Sequence, residues 1–145
     1  MKDPRLEKLA YNLVNHSIKA QKGEKVLIQC NNSEPEFIKA LIREIYKVEA
    51  IPFVSLNDKT IERELLLGAT EEQMRIRAEI ELAEMKQMDC YIGFTSVRNL
   101  NALCDVPQDK MELYKNLVVQ PVTMDQRLNH TKWVVWRYPS AAMAQ

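Results

Sequence analysis

Residues 25–56 read KVLIQCNNSEPEFIKALIREIYKVEAIPFVSL. Lys25-Val26-Leu27-Ile28-Gln29-Cys30 is a short β-type run. In the polar stretch that follows, Ser33 and Glu36 stand at capping-box spacing, where each side chain satisfies the other's free backbone N–H. Phe37, Ile38, Leu41, Ile42, Ile45 and Val48 then recur at helical spacing. Ala50-Ile51-Pro52-Phe53-Val54-Ser55-Leu56 returns to a strand. Pro52 lacks a donor N–H and belongs at an edge or at the strand's start. Strand, helix and strand with no hairpin turn make a βαβ unit, which joins parallel neighbours.

The same alternation extends outward. Upstream, Leu6, Leu9, Ala10, Leu13, Val14, Ser17 and Ile18 mark one face of a helix from Pro4 to about Ala20, with Asp3 as N-cap. Gly23 is free to take positive φ at its end. Downstream, Asn57-Asp58-Lys59 turns the chain into a short helix, Thr60 to Leu67, closed by Gly68. Thr70 and Gln73 form a second capping box, opening a charged helix to about Gln87 with Met74, Ala78, Leu82 and Met85 as its packed stripe. Asp89 to Thr95 is a third strand, followed by a short helical turn from Ser96 to Leu103. Asp105 and Gln108 have the spacing of a third capping box. The helix from Val106 to about Val119 is interrupted at Pro121 and resumes from Val122 to Asn129. Lys132 to Tyr138 is the fourth strand. The pattern predicts an α/β fold: a Rossmann-like or flavodoxin-like three-layer domain with a mainly parallel four-stranded sheet. The strand order is open.

Composition narrows the function classes. A chain of 145 residues suffices for one domain without disulfides or a structural metal. Twenty Lys and Arg balance twenty Asp and Glu, and residues 1–50 carry nine basic and seven acidic groups. That mixing argues against nucleic acid as a partner, which calls for a basic face. Apolar runs such as Trp133-Val134-Val135-Trp136 fall far short of the roughly 18–20 residues of a membrane span, so no membrane partner is expected. Met1-Lys2-Asp3-Pro4-Arg5 has no apolar signal core. Together with three cysteines, Cys30, Cys90 and Cys104, read as reduced thiols, this predicts a cytoplasmic protein.

The chemistry-bearing residues are sparse. His16 and His130 have no ligand-like neighbours and read as structural or solvent-facing. No H-E-x-x-H, C-x-x-C, G-x-G-x-x-G or P-loop pattern occurs, and there are three glycines in all. The cysteines read as small apolar fillers. Glu79, Glu81 and Glu84, beside Arg75, Arg77 and Lys86, read as a solvated, ion-paired helix face. The aromatic strand Trp133–Tyr138 reads as core packing. One polar group would share the C-terminal edge of a doubly wound sheet, where ligands bind: Asn31, Asn32, Ser33, Asn57, Asp58, Thr95, Ser96, Arg98 and Arg137. These are read first as caps and turn residues. No catalytic, cofactor-binding or metal residue is assigned.

Two sets of segments carry a family resemblance. One is Asp3 to Ala10 with Lys22 to Ile28. The other is Asp105-Val106-Pro107 with Lys110, then the closing TKWVVWRYPSAAMAQ, Thr131 to Gln145. In order and spacing, over essentially the whole chain, they resemble the N-terminal domain of the thermophilic-type metalloaminopeptidases, the family of aminopeptidase T, aminopeptidase S and aminopeptidase II. The resemblance implies a cytoplasmic exopeptidase that removes N-terminal residues from peptides. It implies two divalent metal ions, such as zinc, cobalt or magnesium, in the full-length enzyme and none in this chain. The family's metal ligands lie in a C-terminal catalytic domain, so none carries over to a position here. The implied organisation is residues 1–138 as an N-terminal α/β domain and 139–145 as the start of a truncated connection to that missing domain. The domain would shape the active-site cavity and be inactive alone, and the full-length enzyme would be a homodimer. The alternative is a self-sufficient α/β small-molecule-binding or interaction domain.

Overall fold

The computed structural model describes residues 3–32, 34–96 and 102–138. Strands β1 (Lys25–Asn31), β2 (Ile51–Asn57), β3 (Cys90–Ser96) and β4 (Lys132–Tyr138) form one sheet in the order β2-β1-β3-β4. Every neighbouring pair is parallel: Val26 stands opposite both Pro52 and Cys90, and Cys90 stands opposite Lys132. This settles the open order in favour of the flavodoxin-like arrangement, in which β1 lies between β2 and β3. Pro52 falls second in an edge strand, where its missing N–H costs no central ladder bond.

Successive side chains of β1 and β3 point to opposite faces, and the two faces are covered differently. Val26, Ile28, Cys30, Cys90, Ile92 and Phe94 face a first layer formed by α1 (Pro4–Asn12) and α2 (Pro35–Lys47). Leu27 and Tyr91 face a second layer containing α3 (Lys59–Leu67), α4 (Glu71–Lys86), α5 (Gln108–Tyr114) and its continuation. The chain moves from β1 to β2 in one direction and from β2 to β3 in the other. Right-handed crossovers therefore place the connecting helices on opposite faces. No helix among the described residues is long and apolar enough to cross a membrane.

Several helix ends differ from the sequence expectation. The Asp3 carboxylate caps α1, accepting the Arg5 N–H at 2.9 Å. The helix then widens into a π-helical turn, Leu13–Ser17, and is terminated by Lys19 at φ +48°. Gly23, at φ +84°, serves the later turn into β1 instead. The Ser33 capping box lies outside the described residues, as does most of the turn expected from Ser96 to Leu103. The Thr70–Gln73 box forms in full. The Asp105–Gln108 box does not: α5 begins at Gln108, and the Asp105 carboxylate is taken by Arg63 at 2.8 and 2.6 Å. Pro121 does not interrupt the helix. Lys115–Arg127 is π-helical around it, and a chain bonding at the wider i→i+5 spacing absorbs a residue without an N–H. Leu128–His130 closes that rod.

The edge strands correct a second expectation. Trp133 and Val135 of β4 are exposed, while Val134 and Trp136 pack on the first-face core. On β2, Ile51, Phe53, Val54 and Leu56 are all exposed. An edge strand covered on one flank cannot bury both of its faces.

Candidate functional site

Along the second face the sheet changes character from one end of its strands to the other. Near the N-terminal ends it presents Leu27 and Tyr91, both buried. Toward the C-terminal ends the same alternation presents Gln29 and Asn31 from β1, Ser55 and Asn57 from β2, and Gly93 and Thr95 from β3. These residues floor a cavity of about 390 Å³, roofed by α3, α4 and the helical rod after β3. A parallel sheet offers its ligand position at this edge, at the switch point between β1 and β3.

The side chains meeting over β1 and β3 are tightly organised. The Tyr91 hydroxyl donates to Gln29 Oε1 at 2.6 Å, and Arg127 Nη2 donates to the same oxygen at 3.1 Å. The Arg127 guanidinium lies 3.7 Å from the Tyr91 ring centroid, a cation–π stack. Gly93 makes room for that ring, since a Cβ there would stand 2.6 Å from Tyr91 atoms. Burial raises the Tyr91 pKa against the opposing pull of Arg127, so the phenol stays a donor. Arg127 Nε is buried with no hydrogen-bond partner among the described residues. An unmet buried donor costs about 1–3 kcal/mol.

A second cluster forms the opposite wall. Arg77 Nε donates to Glu81 Oε2 at 2.6 Å, and its Nη2 pairs with Glu62 Oε1 at 2.7 Å, the latter outside hydrogen-bond angle. Its guanidinium sits 5.0 Å from the Tyr114 ring centroid. Burial works against the Arg77 charge, but the contacts to Glu81 and Glu62 outweigh it and hold the pKa above its ordinary value. The Tyr114 pKa is also raised, chiefly by burial. Arg77 and Glu81 therefore depart from the solvated face read for Glu79, Glu81 and Glu84: Arg77 turns inward onto Glu62 and holds Glu81 beside it. Arg75, by contrast, pairs with Glu71 in solvent.

The edge residues singled out from the sequence divide. Asn31, Asn57 and Thr95 line the cavity rather than serving as turn residues. Asp58 is the N-cap of α3, accepting the Thr60 N–H at 2.8 Å. Asn32, at φ +68°, donates its backbone N–H to the Asn57 carbonyl at 2.7 Å. Ser33 and Arg98 lie outside the described residues, as do the side chains of Ser96 and Arg137. Sequence reasoning missed Gln29, Tyr91, Arg77, Tyr114 and Arg127. The available signal was Gln29 itself, a polar residue inside a central strand that is otherwise apolar.

None of the remaining candidates lines the cavity. His16 is exposed and edges Tyr11 at 5.7 Å, and His130 is exposed at the end of the rod. Cys30 and Cys90 are buried fillers on the first face, with thiol pKa values pushed up by burial to about 11 and about 12. Cys104 is exposed and fills nothing. Among the described residues no three His, Cys, Asp or Glu side chains converge as metal ligands. Of the cavity carboxylates Glu62, Glu81 and Glu84, the first two share the single cation Arg77. These residues do not fit a metal centre, and no catalytic step is assigned through one.

The model of a protein family described as thermophilic metalloprotease (M29) matches residues 2–145. The chain belongs to the M29 metalloprotease family. Among solved structures, this M29 chain is similar to wild-type AmpT from Thermus thermophilus, with a TM-score of 0.70 and 19% sequence identity. The match covers 92% of this chain and 35% of AmpT, so the M29 chain spans about a third of the solved relative's length. At that identity the likeness speaks for the fold. A search of curated proteins finds no match.

Proposed function

We propose that this M29 chain is the N-terminal α/β part of a metal-dependent aminopeptidase that removes N-terminal residues from peptides. Residues 1–138 are the domain, and 139–145 lead toward a C-terminal catalytic domain. The observation that carries this reading is the family match along residues 2–145, set beside coverage of only 35% of AmpT. Amide hydrolysis needs a polarised carbonyl and an activated water, which metal ions supply. In this reading two divalent ions, zinc, cobalt or magnesium, are held by the catalytic domain. The α/β part contributes a wall of the substrate cavity, and the enzyme works as a cytoplasmic homodimer on peptide substrates.

The test compares the 145-residue chain with a longer chain that continues into the catalytic domain, on aminoacyl-p-nitroanilides with added metal and with chelator. The longer chain turns over substrate and loses activity to chelator, while the 145-residue chain is inactive. Chelator-sensitive turnover by the 145-residue chain would overturn the division of labour. The cavity favours one other reading, a self-sufficient small-molecule-binding domain, for which an inactive longer chain would speak.

A further inference from the structure

We propose that the cavity at the strand C-terminal ends is a binding site for a small zwitterion, a free α-amino acid or short unblocked peptide, with Arg127 holding its carboxylate. The proposal rests on the cavity's own residues and is independent of where the peptidase chemistry resides. At about 390 Å³ the space is within the range of about 300–1,000 Å³ usual for small-ligand sites. It lies over the switch point between β1 and β3, where the fold leaves its ligand position.

The charges select the ligand. Arg127 is the cation of one wall: it stacks on Tyr91 and donates to the neutral Gln29, and no described carboxylate lies within ion-pair reach of it. Arg127 itself lines the cavity. A planar guanidinium fixed by stacking, with no described carboxylate of its own, suits a planar carboxylate. On the other wall Glu62, Arg77 and Glu81 sum to one negative charge, placed to receive an ammonium group. Lys59 and Glu84 also line the cavity and offset each other, so the site as a whole is neutral. A neutral cavity with separated charges favours a ligand that is itself neutral and dipolar. Phosphate is disfavoured, since the sequence from Asn31, the last residue of β1, to Pro35, the first of α2, holds no glycine to bring a cradle of backbone N–H groups close.

The test is calorimetric titration of the 145-residue chain with dialanine, dialanine C-terminal amide, N-acetyl-dialanine and inorganic phosphate. Dialanine binds. Its amide and its N-acetyl form each bind at least about tenfold more weakly. Arg127→Gln weakens dialanine at least about tenfold, while Lys39→Gln on α2, on the opposite layer, leaves binding unchanged. The proposal is overturned by no binding of dialanine up to about 10 mM, by an amide or N-acetyl form that binds as well as dialanine, or by phosphate binding as tightly. Undiminished binding by a folded Arg127→Gln variant overturns it equally. If that variant does not fold, the blocked peptides on the unaltered chain decide. A longer chain that cleaves peptides while dialanine fails to bind here sinks this proposal alone. Dialanine binding beside a longer chain that proves inactive sinks only the aminopeptidase reading.

Discussion

The two faces of the sheet are made by the same strands and end differently. On β1 the first-face residues are Val26, Ile28 and Cys30, all fully buried to the strand's last turn. The second-face residues are Leu27, Gln29 and Asn31, apolar for one position and polar after it. β3 repeats the contrast, with Cys90, Ile92 and Phe94 against Tyr91, Gly93 and Thr95. A central parallel strand buried on both faces normally reads as continuously apolar. The departure on one face alone separates the layer that holds the fold together from the layer that leaves room for a ligand.

Thiol labelling tests the closed face most sharply. Cys30 and Cys90 have pKa values raised to about 11 and about 12 by burial, whereas Cys104 is exposed. At pH 8 about one in a thousand or fewer of the buried thiols is ionised. Labelling of the native chain should show one fast thiol and two that react orders of magnitude more slowly. Three equal rates would mean that the first face opens readily. Phe37→Ala comes next in size. Phe37 is fully buried and packs edge-on against Phe94, with ring centroids 5.0 Å apart. Its truncation should cost about 3–5 kcal/mol in urea unfolding.

On the open face the expected losses are smaller. Gly93→Ala forces the Tyr91 ring off its seat and should cost about 1–3 kcal/mol. It should also loosen Arg127, read as weaker protection of the Tyr91 region in hydrogen exchange. A Gly93→Ala loss larger than that of Phe37→Ala would reverse the contrast between the faces. The smallest effect concerns the cover of the open face, where Arg63 joins α3 to Asp105. The hydrogen bond from Arg63 lowers the Asp105 pKa below its ordinary 3.8. Its contribution is therefore fully present above pH 3.8 and fades as the pH falls through the lowered value. The melting-temperature advantage over Asp105→Asn should be small near neutrality and vanish in strong acid. A constant advantage at all pH values would assign it to packing.

The fold was legible because its signal is local. Alternation between apolar runs and helical spacing marks each strand within a few residues, and the Thr70–Gln73 box needs only its own turn. The strand order was not, because Val26 meets Cys90 only after three helices have intervened. The Asp105–Gln108 spacing misled for the same reason: Asp105 is claimed by Arg63, a partner distant in sequence. The cavity was half legible. Asn31, Asn57 and Thr95 belong to the strand ends that topology alone makes suspect. Arg77 and Arg127 sit on helices among other charges, and nothing in their immediate neighbours distinguishes an inward guanidinium from a solvated one. Gln29 is the residue that could have pointed to them, since a polar group in a buried strand demands a partner.

The position of β1 between β2 and β3 also sets an order of events in folding. Its pairing with β2 closes over α2 alone, whereas its pairing with β3 must bridge α2, β2, α3 and α4, and the entropy lost in closure grows with the length of chain enclosed. The β1–α2–β2 unit is thus the expected nucleus, and the layer over the cavity condenses late. Transition-state φ-values should be high at Ile28 and Leu41 and low at Val118 and Val122. The reverse pattern would place the nucleus under the cavity. Late condensation means that the rod carrying Arg127 orders after the β1–α2–β2 unit, so the clamp over Tyr91 closes on strands that have already paired.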